Sequence, residues 1–348
     1  MLKKIDQLPE GLLNLSADQL HTKVDNHTLL HLSGKISRPL FISILQHGDE
    51  TTGWDALKDY LKLHMPKLPR DLCILFGNVE ASAHNKRQLD GQPDFNRCWP
   101  GKHIEDNAYS RTMAEVTDHM RALNPFASVD IHNNSGRNPH YAGINRTDLA
   151  FRNLASLFAD TIIYFTSPDG IQSGAFAPFC PAVTIECGLS GTADGIEQTH
   201  TFLENLMHQS ELEHVPGIAE HQKIYNIFST VKVKPDIEVA FGDSQAELVF
   251  QEDLDYMNFL SVDAGTVIGQ INGSDKMPLS VIDQNNNDIT EQYFALKDNK
   301  LITTQTVIPA MITQSIKAIQ LDCLCYLMQP LNEQQINNQQ TGVLHAIK

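Results

Sequence analysis

The chain lacks several things. No apolar run reaches the length of a membrane-crossing helix. Positive charge is scarce: Lys+Arg number 26 against 42 Asp+Glu, a net charge of −16. That balance argues against nucleic acid and anionic membrane surfaces as partners, though not against a local basic pocket. The first ten residues carry two lysines with no apolar core behind them, which is not the pattern of a signal peptide. The six cysteines (Cys73, Cys98, Cys180, Cys187, Cys323, Cys325) form no disulfide framework by spacing, and most sit in apolar runs. Free thiols in a reducing cytoplasm are the expectation. Cys323 and Cys325 are spaced to share one strand face, but no second pair follows to close a zinc site. There are no internal repeats.

What is present is ordinary globular composition, enough for a sizeable core, over a length that suits one to three domains. Leu29–Leu32 and Pro39–Gln46 read as strands around a Ser-Gly-Lys turn, and Leu72–Gly77 as a buried strand. Residues 54–64, 111–123, 149–158 and 195–208 have helical apolar spacing. Between them, Ala127–Ile131, Thr161–Phe165 and Ala182–Ile185 read as strands. Strands alternating with helices indicate an α/β layer architecture, a mainly parallel mixed sheet flanked by helices. Past a linker near 215–224 the pattern becomes short strands between Gly, Asp and Asn turns. The expected organisation is a domain over 1–215, a smaller β-rich domain over 225–330 and a polar tail over 331–348.

Three strand ends carry chemistry. His47 and Glu50 follow Phe41–Gln46, His132 follows Ser128–Ile131, and Glu186 follows Ala182–Ile185. Ligands of open α/β sheets gather at the carboxyl ends of parallel strands. Two imidazoles and a carboxylate at one such edge suit a zinc ion with an open position. Glu186 remains as a general base, because a charge ending a buried strand is rare unless paired or functional. Gly48 would allow the tight turn between His47 and Glu50. Each piece taken alone has a plainer reading, as a solvated or hydrogen-bonded polar side chain.

The polar, turn-rich stretch 78–101 is a natural pocket wall. Arg97 with Asn96 can clamp a carboxylate, and Arg87 can stabilise an oxyanion. The alternative is a pair of surface arginines neutralised by Asp90 and Asp94. The remaining histidines at 64, 84, 103, 119 and 208 read as solvated, without partners.

Taken in order, His47-Gly-Asp-Glu50, Asn78…Arg87…Asp94-Phe-Asn96-Arg97, Asp130-Ile-His132 and Ile185-Glu186-Cys-Gly188 resemble the succinylglutamate desuccinylase/aspartoacylase family over roughly residues 35–210. That resemblance implies a zinc carboxypeptidase-like fold with an appended small domain. It implies one Zn²⁺ per chain on His47, Glu50 and His132, with Glu186 as base, Arg87 as carbonyl polariser, and Asn96 with Arg97 as carboxylate clamp. The implied reaction is hydrolysis of the amide of a small, anionic N-acyl amino acid. Two departures stand out. Asp49 replaces the family's usual asparagine, and residues 170–181 lack the arginine that holds a second substrate carboxylate in aspartoacylase-like members. Arg137 is the candidate substitute. Competing readings are a carboxypeptidase-like metallopeptidase acting on short peptides, and a binding module that kept the fold. Oligomeric state is not legible.

Overall fold

A computed structural model describes residues 2–215, 222–242, 244–332 and 334–336. Parts of the expected linker and polar tail, residues 216–221 and 337–348, lie outside the described residues. The chain divides into two compact units, one of residues 1–133, 140–224 and 332–348, the other of residues 134–139 and 225–331.

The first unit is built on a mixed sheet. Its strands are β1 (Lys3–Ile5), β2 (Thr28–Leu32), β3 (Gly34–Ile44), β4 (Leu68–Phe76), β5 (Ala127–Asn134), β6 (Tyr141–Ile144), β7 (Thr161–Tyr164) and β8 (Ala182–Leu189). They are ordered β1-β2-β4-β3-β5-β8-β6-β7. β3 runs parallel to both β4 and β5. The helices are α1 (Thr52–His64), α2 (Val79–Ser82), α3 (Ala108–Leu123), α4 (Leu149–Ser156), α5 (Gln172–Phe176) and α6 (Ala193–Met207). Strand β6 and helices α2 and α5 are too short for periodicity to reveal them. β2 and β3 do not flank a simple turn. Gly34 already belongs to β3, and β4 lies between the two strands. The Asp71 carboxylate on β4 accepts the Gly34 N–H at 2.7 Å and holds that crossing.

Period-two alternation divides the sheet into two chemically different faces. On one face, Ile44 and Ile131 lie against Gly53 at the start of α1. Cys187 accepts a hydrogen bond from Thr199 of α6 at 3.0 Å. Trp54, Leu57, Tyr60 and Leu61 of α1 are buried, as are Phe202, Leu203 and Leu206 of α6. Apolar burial on this scale is worth ~25 cal/mol per Å² removed from water. The opposite face carries Ser43, Asp130 and His132, in the register Phe41↔Ser128 and Ser43↔Asp130. Helix α5 lies on this second face, where Phe176 stacks on Phe41 at 4.8 Å and Gln172 donates to Ser128 at 2.7 Å.

The second unit is all strand apart from short helical turns. β9 (Lys223–Val233) pairs antiparallel with β13 (Leu279–Asp283) and β17 (Cys325–Pro330), and β17 pairs with β16 (Ile308–Ala310). A second sheet has the order β10-β11-β12-β15-β14, from Val239–Phe241, Leu248–Phe250, Val267–Ile271, Lys300–Thr303 and Phe294–Lys297. Its core gathers Leu248, Phe250, Leu279, Val281, Leu301 and Leu327. All six cysteines are buried and none is in a disulfide, with Cys325 part of this core. Among the described residues no helix is long and apolar enough to cross a membrane.

The seating of α6 gives a stability prediction. A Cβ on Gly195 would stand 2.3 Å from the Cys187 carbonyl oxygen, a backbone atom that cannot swing aside. Gly195→Ala should therefore cost about 1–3 kcal/mol, read as a lower urea midpoint at unchanged m-value. An unchanged midpoint would contradict this packing.

Candidate active site

The site begins where β3 ends. Leu45 takes a left-handed conformation, φ 56°, which a side-chain-bearing residue adopts at a cost of order 1–3 kcal/mol. Two backbone bonds hold it there: Asn78 N–H donates to Leu45 O at 2.6 Å and Gly77 N–H to Ile44 O at 3.0 Å. The bend delivers His47 to the sheet edge. Gly48 lies in the expected tight turn, closed by Glu50 N–H on His47 O at 3.2 Å, without itself taking a left-handed conformation. Its missing side chain serves close approach instead. A Cβ there would lie 2.3 Å from the Ser82 nitrogen and 2.7 Å from the Lys86 carbonyl. The Gly48 N–H donates to Arg87 O at 3.0 Å, so the His47–Glu50 turn and the Arg87 segment are joined through backbone.

Glu50 lies between two buried imidazoles. Its Oε1 is 2.6 Å from His47 Nδ1 and its Oε2 is 2.8 Å from His132 Nδ1. The backbone N–H of Asn133 donates to the same Oε2 at 3.2 Å. One ligand atom from each of His47, Glu50 and His132 falls within 4.8 Å of the others. The far sides of both rings are also occupied. His47 Nε2 is 3.1 Å from Asp94 Oδ1, and His132 Nε2 is 2.9 Å from Asp130 Oδ2. Ser43 Oγ in turn donates to Asp130 Oδ1 at 2.5 Å. A carboxylate behind each imidazole fixes the ring and turns Nδ1 toward Glu50, an orientation in which it could serve a metal. Two imidazole nitrogens, one carboxylate and a pair of supporting acids suit a zinc ion.

Charge balance follows from these contacts. Burial opposes a proton on His132, but Asp130 and Glu50 outweigh it and hold the imidazolium well above its ordinary range. Burial likewise opposes a charged His47, and Glu50 with Asp94 raises it. Burial would raise Glu50, yet the two imidazoles hold it far below the usual carboxylate range. Glu186 goes the other way: burial pushes its carboxyl up to about 7, against the pull of His132. A carboxyl poised near neutrality suits proton transfer in either direction.

Glu186 and His132 were expected just past strand ends. Instead β5 continues to Asn134 and β8 to Leu189. Both side chains therefore project from within ladders. Glu186 faces Tyr141 across the β6–β8 pairing, which lets the strand continue through a charged residue.

Arg87 is paired with Asp94, as the plainer reading had it. Its Nη2 is 3.1 Å from Asp94 Oδ2 and its Nη1 is 3.7 Å from Glu50 Oε1, so it is ion-paired and also stands beside the histidine–glutamate group. Asn96 and Arg97 lie on a one-turn 3₁₀ helix, Phe95–Arg97, which Asp94 caps by accepting Asn96 N–H at 2.9 Å. The Asn96 Oδ1 is buried without a hydrogen-bond partner among the described residues. Arg137 belongs to the second unit. Its backbone N–H donates to Asp255 at 3.2 Å and its guanidinium lies 4.7 Å from the centre of the Tyr256 ring. Of the histidines set aside, His64 and His208 do have partners: His64 Nε2 is 2.5 Å from Glu204 Oε1 and His208 Nδ1 is 2.8 Å from Glu204 O.

Sequence reasoning missed Asp130 as a support and read Asp94 only as an arginine's partner. A signal existed for the first, since Asp-x-His on a strand puts both side chains on one face. Nothing in spacing marks the second.

Comparisons with known proteins agree with this architecture. The Succinylglutamate desuccinylase/Aspartoacylase catalytic domain matches residues 38–209. Among solved structures, the chain is similar to a succinylglutamatedesuccinylase/aspartoacylase from Rhodobacter sphaeroides, with 14% identity, 88% of this chain and 89% of that chain covered, and a TM-score of 0.58. It is similar to a succinylglutamate desuccinylase from Vibrio parahaemolyticus, with 15% identity, coverage of 86% and 83%, and a TM-score of 0.55. Murine aminoacylase 3 follows at 12% identity, coverage of 85% and 96%, and a TM-score of 0.50. The curated proteins compared give no match. Residues 38–209 are thereby identified as a succinylglutamate desuccinylase/aspartoacylase catalytic domain, and they carry the histidine–glutamate group.

Proposed function

We propose that the protein is a zinc-dependent amidohydrolase that cleaves the amide bond of a small, anionic N-acyl amino acid. The observation that carries the reading is the convergence of His47, Glu50 and His132 beside a Glu186 carboxyl poised near neutrality. One Zn²⁺ held by the three ligands would supply the Lewis acidity that makes water nucleophilic at neutral pH. Glu186 accepts the proton of the attacking water and returns it to the departing amine nitrogen, so that one water and one amide become a carboxylate and an amine. Arg87 directs its guanidinium at the scissile carbonyl and stabilises the developing oxyanion. Asn96 and Arg97 bind the substrate carboxylate, where paired hydrogen bonds favour arginine. A cytoplasmic location is supported by six buried cysteines outside any disulfide.

Glu186→Gln should retain zinc and lose about 10²–10⁴-fold in kcat on N-acyl amino acids. Metal content by atomic absorption together with single-turnover rates would check it; full activity in this variant would end the proposal. A panel of N-acyl amino acids against dipeptides separates it from the peptidase reading, which predicts cleavage of the peptides alone.

Metal uptake should be linked to protons. His47 and His132 have raised values beside their carboxylate neighbours, so both favour the protonated state, whereas ligation needs neutral rings. Zinc binding should therefore release protons near neutral pH, and affinity should rise with pH until both rings are neutral. Calorimetry in buffers of different ionisation enthalpy measures the release; uptake without release would remove these imidazoles from the ligand set. For Glu186 the base form is lost as pH falls through its value of about 7, and a nearby cation moves that acid limb to lower pH.

A further inference from the structure

We propose that Asp94 is a positioning residue that couples metal binding to carboxylate binding, so that each strengthens the other. The proposal rests on the hydrolase reading above. Its basis is a contrast between the two acids behind the imidazoles. Asp130 is sealed: its side chain is 1% exposed, and its contacts are Ser43 Oγ and His132 Nε2. Asp94 is 24% exposed and shared. Its Oδ1 takes His47 Nε2 at 3.1 Å and Asn96 N–H at 2.9 Å, and its Oδ2 takes Arg87 Nη2 at 3.1 Å. One negative charge thus serves a metal-ligand histidine and an arginine placed to receive substrate, and it also caps the turn that presents Asn96 and Arg97.

A carboxylate behind a ligand imidazole raises that imidazole's basicity and orients it. Arg87 draws on the same charge and competes with His47 for it. A small acid such as acetate, seated where the scissile carbonyl would lie, takes the guanidinium and relieves this competition, because a paired guanidinium–carboxylate contact satisfies Arg87 elsewhere. Asp94 is then left to His47, and the metal is held more tightly. Coupling free energies are reciprocal, so a bound metal must strengthen the carboxylate's binding by the same factor. Asp130 touches no arginine and carries no such coupling.

The test measures Zn²⁺ affinity of the full chain by competition with a chromophoric chelator, at one fixed pH, with and without acetate. In the unaltered protein acetate should tighten zinc about fivefold. Asp94→Asn should bring that ratio close to one. Asp130→Asn should weaken zinc about tenfold while keeping the ratio. Arg87→Gln should also lose the ratio, which provides a second variant if Asp94→Asn folds poorly. Equal tightening by acetate in Asp94→Asn and the unaltered protein overturns the proposal, since the anion would then act on the metal directly. No tightening in the unaltered protein also overturns it. In both cases zinc uptake leaves the hydrolase reading intact. Absence of zinc uptake overturns both.

Discussion

A single carboxylate between two buried imidazoles sets the terms for the rest of the first unit. Glu50 approaches both rings within 2.8 Å, and neither ring has solvent to fall back on. Charges packed this closely out of water are tolerated only if every remaining polar atom is satisfied. The surrounding structure supplies those partners. Asp94 and Asp130 take the outer nitrogens, Ser43 steadies Asp130, and the Asn133 backbone adds a donor to Glu50. The arrangement is therefore held by the protein's own hydrogen bonds.

The sheet makes this possible by separating its two jobs. Odd and even positions of β3 and β5 point to opposite sides. Ile44 and Ile131 face α1, while Ser43, Asp130 and His132 face the other way. Core and chemistry thus come from the same few residues, and a slip of one position in register would exchange them.

Much of this was legible in the chain. The apolar run 41–46 with His47 and Glu50 behind it, the Asp130-Ile-His132 pattern and the charged Glu186 after an apolar strand all pointed to one edge, because strand ends gather in α/β sheets. The helices at 54–64, 111–123 and 195–208 followed from apolar spacing. Other features were hidden for physical reasons. β6 has only four residues, too few for a period to show, yet it is the partner that carries β8 past Glu186. The left-handed Leu45 carries no sequence mark, since leucine is not a residue that favours that conformation. The role of Gly48 depends on backbone that returns more than thirty residues later, at Ser82 and Lys86. Asp94 looked like a plain counter-ion to arginine because its histidine lies 47 positions away.

Glu186 is threaded into a ladder with β5 on one side and β6 on the other. Its main chain has no slack, and only side-chain torsions can move the carboxyl. The length of the acid is thereby a design parameter: aspartate at this position would retract the group by about 1.5 Å, one carbon–carbon bond, and the backbone could not slide forward to make up the difference. Change is left to the irregular segments around the sheet edge, which can lengthen or differ in composition while the Glu186 carboxyl stays where the strands put it.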